Sequence, residues 1–245
     1  FVEEAPTVPL AGVQVTAISL DTFRLVQTVS DGAGQLRLDG LDEGSGVWVF
    51  LEAPGLAAEL ATRGVTVERY RYLVRTLSRD AGPPAMSVGE RRPWQSADLS
   101  KVSTLLALAY GPDRARPFAP GGSPADWIEY LWQLLGTRSC GDFDAAVSVV
   151  APVASRVLDG VALVTRLAPE TAHLAQVAVR PEAQTRGLGS SLLADVIART
   201  ADAGYERLTL LVSESNERAG RLYERCGFTE TAAFLSGSFQ HPEGE

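Results

Sequence analysis

Residues 172–193 read AHLAQVAVRPEAQTRGLGSSLL. An apolar, β-branched run ends at Val179, and five residues later Gln184-Thr185-Arg186-Gly187-Leu188-Gly189 opens onto apolar positions at Leu188, Leu192, Val196 and Ile197. The first pattern is that of a strand and the second that of a helix. Two glycines at the junction let the backbone turn tightly and approach a ligand closely. N–H groups at a helix start, backed by the helix dipole, make a cradle for phosphate or pyrophosphate. Ser190 and Ser191 add hydroxyl donors, and Arg186 adds charge. A dinucleotide fingerprint would put a third glycine where Leu192 stands, so the loop alone reads equally well as a plain strand-to-helix turn.

Around this segment helices and strands alternate. Asp98–Tyr110 carries Leu99, Val102, Leu105, Leu106 and Ala109 at helical spacing. Ser123 as N-cap, Pro124 in the first turn and Asp126 three residues after the cap open a second helix, which runs through Trp127, Tyr130, Leu131 and Leu134 to Gly136. Strands follow near Ala145–Ala151, Val161–Leu167 and Ala172–Val179. Beyond the glycine loop the helix runs to Gly204, Leu208–Val212 is a strand, Asn216–Arg225 is a helix stopped by Gly227, and a last strand begins at Phe228. This order predicts an α/β architecture with a mixed sheet, its parallel part between the strands joined by the helix after the loop.

Asn216, Ala219 and Tyr223 share one helix face at i, i+3 and i+7. Asn216 reads equally as a simple N-cap, and Tyr223 as a core aromatic beside Leu222. Taken together, though, a strand ending Val177–Val179, then Q-x-x-G-x-G at Gln184–Gly189, then N-x-x-A-x-x-L-Y-x-x-x-G-F at Asn216, Ala219, Leu222, Tyr223, Gly227 and Phe228 resembles the GNAT superfamily of N-acetyltransferases. The resemblance covers roughly residues 91–240. It implies the mixed-sheet acyl-CoA N-acyltransferase fold, splayed between its fourth and fifth strands, with acetyl-CoA as cofactor. It further implies that backbone groups of Val177, Ala178 and Val179 bond the pantetheine arm. Amides across Gln184, Thr185, Arg186, Gly187, Leu188, Gly189 and Ser190 would grip the pyrophosphate, and Asn216 would touch the cofactor from the next crossover. Tyr223 would protonate the departing thiolate.

Acetyl transfer to an amine needs three things: a proton removed from the amine, a polarised thioester carbonyl and a neutralised thiolate. A backbone N–H at Val177 can serve the carbonyl. A phenol of ordinary pKa ~10 stays protonated at neutral pH and can serve the thiolate. For the base, His173 is the first candidate, six residues before Val179 where protein-acetylating relatives carry glutamate; its plainer reading is a half-buried strand residue with a hydrogen bond. Glu214 and a water chain are the alternatives. Cys226 is assigned to packing. A non-catalytic acyl-CoA-binding regulatory module is the rival function, since it would need the same loop.

The first eighty residues read mainly as strands: Val13–Leu20, Phe23–Val29, Gln35–Leu38 after the turn Asp31–Gly34, Gly46–Leu51 and Thr66–Leu77, with a short helix at Leu56–Thr62. Residues 81–93, AGPPAMSVGERRP, have linker composition. The expected organisation is a smaller strand-rich domain at 1–82 without a cofactor site, a linker at 83–92 and the acetyltransferase domain at 93–245. Gly46–Val67 can be laid on Thr209–Glu230 at a constant offset of 163, which reads either as a decayed copy of the second part or as a chance strand-helix-strand similarity. The first part also resembles carboxypeptidase-regulatory-type β-sandwich repeats.

Composition bounds the remaining possibilities. The chain has 245 residues, 45% of them hydrophobic, and a net charge of −8, so it lacks the basic footprint of a nucleic-acid binder. Two cysteines suit a reducing compartment, and two histidines show no metal-ligand spacing. No run approaches a membrane span, and no signal peptide is apparent, so a cytoplasmic protein is expected, acting on a small-molecule amine or peptide without metal, nucleic acid or membrane. The single lysine, Lys101, does not follow a phosphate-binding glycine loop.

Overall fold

The computed structural model describes residues 14–19, 25–29, 31–33, 35, 47–52, 66–78, 90–111, 122–136, 140–152 and 158–238. The chain divides into two compact units, Phe1–Tyr70 with Phe234–Glu245, and Arg71–Ala233. Two sheets are present among the described residues. The smaller is antiparallel, with β1 (Gln14–Ser19) between β2 (Leu25–Val29) and β3 (Val47–Glu52). After β2 the Asp31 carboxylate accepts from the amides of Ala33 and Gln35, which makes the expected turn. The expected strand at Gln35–Leu38 and helix at Leu56–Thr62 lie outside the described residues.

The larger sheet is built from β4 (Thr66–Thr76), β5 (Arg92–Pro93), β6 (Asp142–Phe143), β7 (Val149–Pro152), β8 (Leu158–Ala168), β9 (Thr171–Val179), β10 (Arg207–Ser213) and β11 (Thr229–Ser238). Its order is β11-β4-β10-β9-β8-β7-β5, with β6 paired to β8. From β5 to β9 neighbours run antiparallel, and β9 and β10 are parallel. A parallel pair needs a crossover, which is helix α3 (Leu188–Asp202). The mixed sheet of the acyl-CoA N-acyltransferase fold is therefore present. The sequence pattern places Thr66–Leu77 at the end of the strand-rich first part, yet β4 lies inside this sheet, between β10 and β11. Alternation marks a strand without naming its partner, and this partner is more than a hundred residues away.

Helices cover both faces. On one, α3 buries Leu188, Leu192, Leu193, Val196 and Ile197 against Ala162, Val164, Leu174 and Leu210. The same face takes Tyr223 of α4 (Glu217–Arg225). On the other, α1 (Leu99–Tyr110) and α2 (Pro124–Gly136) pack Val102, Leu105, Leu106, Trp127 and Leu131 onto Val161, Leu163 and Ala178. Cover on both faces explains why β8 is apolar almost throughout. The expected capping box of α2 is reciprocal: Asp126 N–H donates to Ser123 Oγ at 3.2 Å, and Ser123 N–H to the Asp126 carboxylate at 3.0 Å. The strand expected from Ala145 starts only at Val149, because Asp144 holds residues 145–147 in a turn through the Ala146 amide.

Candidate active site

The site begins where two strands part. Thr171–Leu174 of β9 pair with Arg207–Leu210 of β10, and the pairing stops there although both strands continue. On its other side β9 stays paired to β8 as far as Val179. Arg180 N–H donates to the Asp159 carbonyl at 2.8 Å, so this pair is hydrogen-bonded. Antiparallel alternation then turns the backbone of Ala178 and Gln176 toward β8, and that of Val177 and Val179 toward the opened side. The Val179 carbonyl accepts from Gln184 Nε2 at 3.0 Å, as this orientation requires. Of the three strand residues, Val177 and Val179 turn backbone groups toward the opened side. Ala178 turns toward β8, and its methyl lies in the core under α1 and α2.

The glycine loop follows directly. Thr185 (φ 64°) and Gly187 (φ 84°) are both left-handed, and Gly187 is the N-cap of α3. The first intrahelical bond runs from Ser191 N–H to the Gly187 carbonyl. Among the described residues, no bond inside the protein occupies the amides of Thr185, Arg186, Gly187, Leu188, Gly189 and Ser190. Gln184 is different, since its amide donates to the Pro181 carbonyl at 3.3 Å. A Cβ on Gly189 would meet nothing nearer than 3.8 Å, so internal packing does not demand glycine there. Bare backbone at the first turn of a helix, with unpaired amides, fits an approaching diphosphate. Arg186 and Ser190 are exposed beside it, while the Leu188 side chain is buried beneath.

Helix α4 flanks the gap. The Asn216 side-chain Oδ1 accepts from the Ala219 amide at 3.3 Å, the expected N-cap. At the other end Gly227 (φ 80°) completes a Schellman motif, with Phe228 N–H bonded to the Tyr223 carbonyl and Gly227 N–H to that of Glu224. The accompanying apolar contact is Tyr223 against Phe228, ring centroids 5.9 Å apart. Tyr223 is 6% exposed. Burial pushes its phenol well above the ordinary range, with Tyr110 and Cys226 acting in the same direction, so it holds its proton at any physiological pH. Burial also raises the Cys226 thiol, which makes a poor nucleophile and agrees with its assignment to packing. Arg75 donates to the Cys226 carbonyl at the helix end.

His173 sits on the opposite face, one residue before the strands part. It is 3% exposed, its Nδ1 lies 2.8 Å from Thr209 Oγ1, and burial lowers its pKa to about 4. The ring is therefore neutral at pH 7, and a proton on it is costly. Glu214 is exposed in the turn after β10. Two groups at the gap escaped the sequence reading. Gln176 accepts from the Tyr110 hydroxyl and donates to that of Tyr130, each at 2.8 Å, bridging β9 to α1 and α2. Arg218 donates to Gln184 Oε1 at 3.1 Å, tying α4 to the loop. Gln176 was visible only as a polar interruption of an apolar strand, and nothing local marked Arg218.

The parallel pair is thus splayed at its C-terminal end, with unpaired amides at the next helix start. Residues 114–228 match the model of the Acetyltransferase (GNAT) family, and this part of the chain is a domain of that family. A mycothiol acetyltransferase of Cellulomonas flavigena is 27% identical over 197 residues, covering 76% of this chain and 54% of that protein. A 5-NmdU N-acetyltransferase of Pseudomonas phage PaMx11 is 41% identical over 70 residues, covering 29% of this chain and 47% of that one. The chain thus spans about half the length of each of these relatives. The structure of a GCN5-related N-acetyltransferase from Sphaerobacter thermophilus superposes with a TM-score of 0.55 at 22% identity, covering 74% of this chain and 55% of that one, and shares its fold.

Proposed function

We propose that this chain is an acetyl-CoA-dependent N-acetyltransferase that moves an acetyl group to a primary amine, a small molecule or peptide, by direct attack in a ternary complex. The observation that carries this reading is the row of unpaired amides from Thr185 to Ser190 beside the opened edge of β9. These amides hold the diphosphate, assisted by Arg186, and Asn216 contacts the cofactor from the neighbouring crossover. Val177 and Val179 present N–H and C=O to the pantetheine arm, with Ala178 anchoring the strand between them. Bound there, acetyl-CoA supplies an activated thioester. The Val177 N–H polarises its carbonyl, and Tyr223 gives its proton to the departing thiolate. Proton removal from the amine falls to His173, directly or through water, or to Glu214. His173 is unprotonated at neutral pH, while its burial makes it a weak base.

The working division remains a strand-rich part at 1–82, a linker at 83–92 and the transferase at 93–245, with β4 joining the transferase sheet. For a decayed duplication, β4 begins at Thr66 and β11 at Thr229, which gives the same offset of 163, whereas β3 pairs antiparallel with β1 in the small sheet and its counterpart β10 pairs parallel with β9. A cytoplasmic setting, where acetyl-CoA is abundant, completes the reading; no helix among the described residues is long and apolar enough to cross a membrane. The test is calorimetry with acetyl-CoA, followed by assay of CoA release with an amine library. Gly189→Leu should fold normally and bind acetyl-CoA at least about 30-fold more weakly, roughly 2 kcal/mol. Equal affinity in this variant sinks the cradle assignment. Cofactor binding without release of CoA for any amine leaves the non-catalytic acyl-CoA-binding module.

A further inference from the structure

A short chain of polar groups ties the glycine loop to helix α4. Gln184 Nε2 donates to the Val179 carbonyl at 3.0 Å. A carbonyl only accepts, so this bond decides which end of the Gln184 amide is left for α4: its oxygen. That oxygen accepts from Arg218 Nη1 at 3.1 Å. Arg218 stands in the first turn of α4, four residues before Leu222, and residues so spaced share a helix face. Leu222 lies on the loop side, since a Cβ on Gly189 would meet it at 3.8 Å and Val179 at the same distance. The exposed guanidinium of Arg218 is thereby set against the loop whose amides, from Thr185 to Ser190, are unpaired.

For stability alone a cation is misplaced here. The N-terminal turn of a helix favours negative charge, which Glu217 supplies and Arg218 opposes. Arg91, Arg92, Arg166, Arg180, Arg207 and Arg221 each pair with a carboxylate. Among the described residues Arg218 has no such partner, and its bond is to a neutral amide. Unpaired backbone amides supply dipoles but no net charge, and the whole chain carries −8, so a polyanion needs local cations to be held. On the acetyl-CoA reading above, we propose that Arg218 binds a phosphate group of the cofactor and is held in place for it by Gln184. The planar fork of a guanidinium suits two phosphate oxygens at once, and the bond to Gln184 uses one of its N–H groups. Gln184 then serves the site through its side chain, as a positioning residue, while its backbone amide is spent on the Pro181 carbonyl.

The test is calorimetry of the full chain with acetyl-CoA at low salt. Arg218→Gln should weaken binding about tenfold or more. It should leave Tm unchanged or slightly raised, since it takes a cation away from a helix N-terminus. Arg225→Gln, the same change of charge at the far end of α4, should alter affinity less than about twofold. Gln184→Met should weaken binding about fivefold alone and less than about twofold on top of Arg218→Gln, because the two act as one unit. Repeating the titrations with 3′-dephospho-acetyl-CoA locates the contact. An equal loss from Arg218→Gln puts the guanidinium on the diphosphate, and a much smaller loss puts it on the 3′-phosphate. Unchanged affinity in Arg218→Gln overturns the proposal, and a fall in Tm beside it would make Arg218 structural. Equal losses in Arg218→Gln and Arg225→Gln overturn it too, since they report only the overall charge, and fully additive losses overturn the role of Gln184. If the unmodified chain binds no acetyl-CoA, the reading on which the proposal rests fails instead.

Discussion

The two faces of the large sheet are built by different means. On the face under α3 and α4, the strand end at Val179, the loop at Gln184–Gly189 and the cap at Asn216 are each made by residues close in sequence. Their side chains have local partners, and what stays open is backbone: the amides of Thr185–Ser190. On the face under α1 and α2, a row of polar side chains, Thr165, His173, Thr209 and Tyr72, comes from four strands, and all four are buried. Backbone that is open whatever its side chains suits a ligand shared by many proteins. The sheet that separates the two faces parts between β9 and β10.

On the proposed mechanism Tyr223, on the face under α3 and α4, gives its proton at the gap, so Tyr223→Phe tests the comparison most severely. It should lower kcat about 100- to 1000-fold while changing the KM for acetyl-CoA less than threefold. A fall in acetyl-CoA affinity instead would place Tyr223 in binding alone. His173 belongs to the other face, and its burial has a defined sign. The folded pKa of about 4 lies below the ordinary 6.5, so the native state resists protonation that the unfolded chain accepts. The stability contributed by neutral His173 is complete above pH 6.5 and lost as pH falls toward 4, about 3 kcal/mol in all. Denaturation of the wild type and His173→Gln at pH 7 and pH 4.5 should show the wild type losing more by most of that amount. Parallel losses would mean the imidazole is hydrated. If His173 is also the base, His173→Gln should lower kcat at pH 7 well beyond its effect on acetyl-CoA KM. The smallest effect is Asn216→Ala, about 1 kcal/mol of stability from the lost cap, read by urea denaturation. A stability loss with unchanged acetyl-CoA affinity would confine Asn216 to capping.

The domain is stapled by interactions that the motifs do not announce. Arg91 pairs with Asp195 of α3, both largely buried, and Arg71 pairs with Glu224 and Glu230 at 2.8 and 2.6 Å. Partly exposed pairs such as those of Arg71 contribute little singly, and here they hold β4 beside α4 and β11. His173 shows how a sequence position can be right while its surroundings remain hidden. Its place six residues before Val179 was readable, but its burial depends on Thr209 of β10, which reaches it only through the parallel pairing.

The sequence by itself determined the periodicity of the helices and strands, the glycine loop, the capping box of α2, the cap at Asn216 and the stop at Gly227. Each of these is decided by residues within a few positions of one another, so short-range sterics and hydrogen bonding specify them. Only the tertiary structure decided that β4 enters the large sheet, that the backbone of Ala178 turns toward β8 while Val177 and Val179 face the gap, and that Thr165, His173, Thr209 and Tyr72 share one face. These depend on which strands lie side by side and in what register, and strand pairing over long separations is set by the burial of whole faces rather than by any local run of residues.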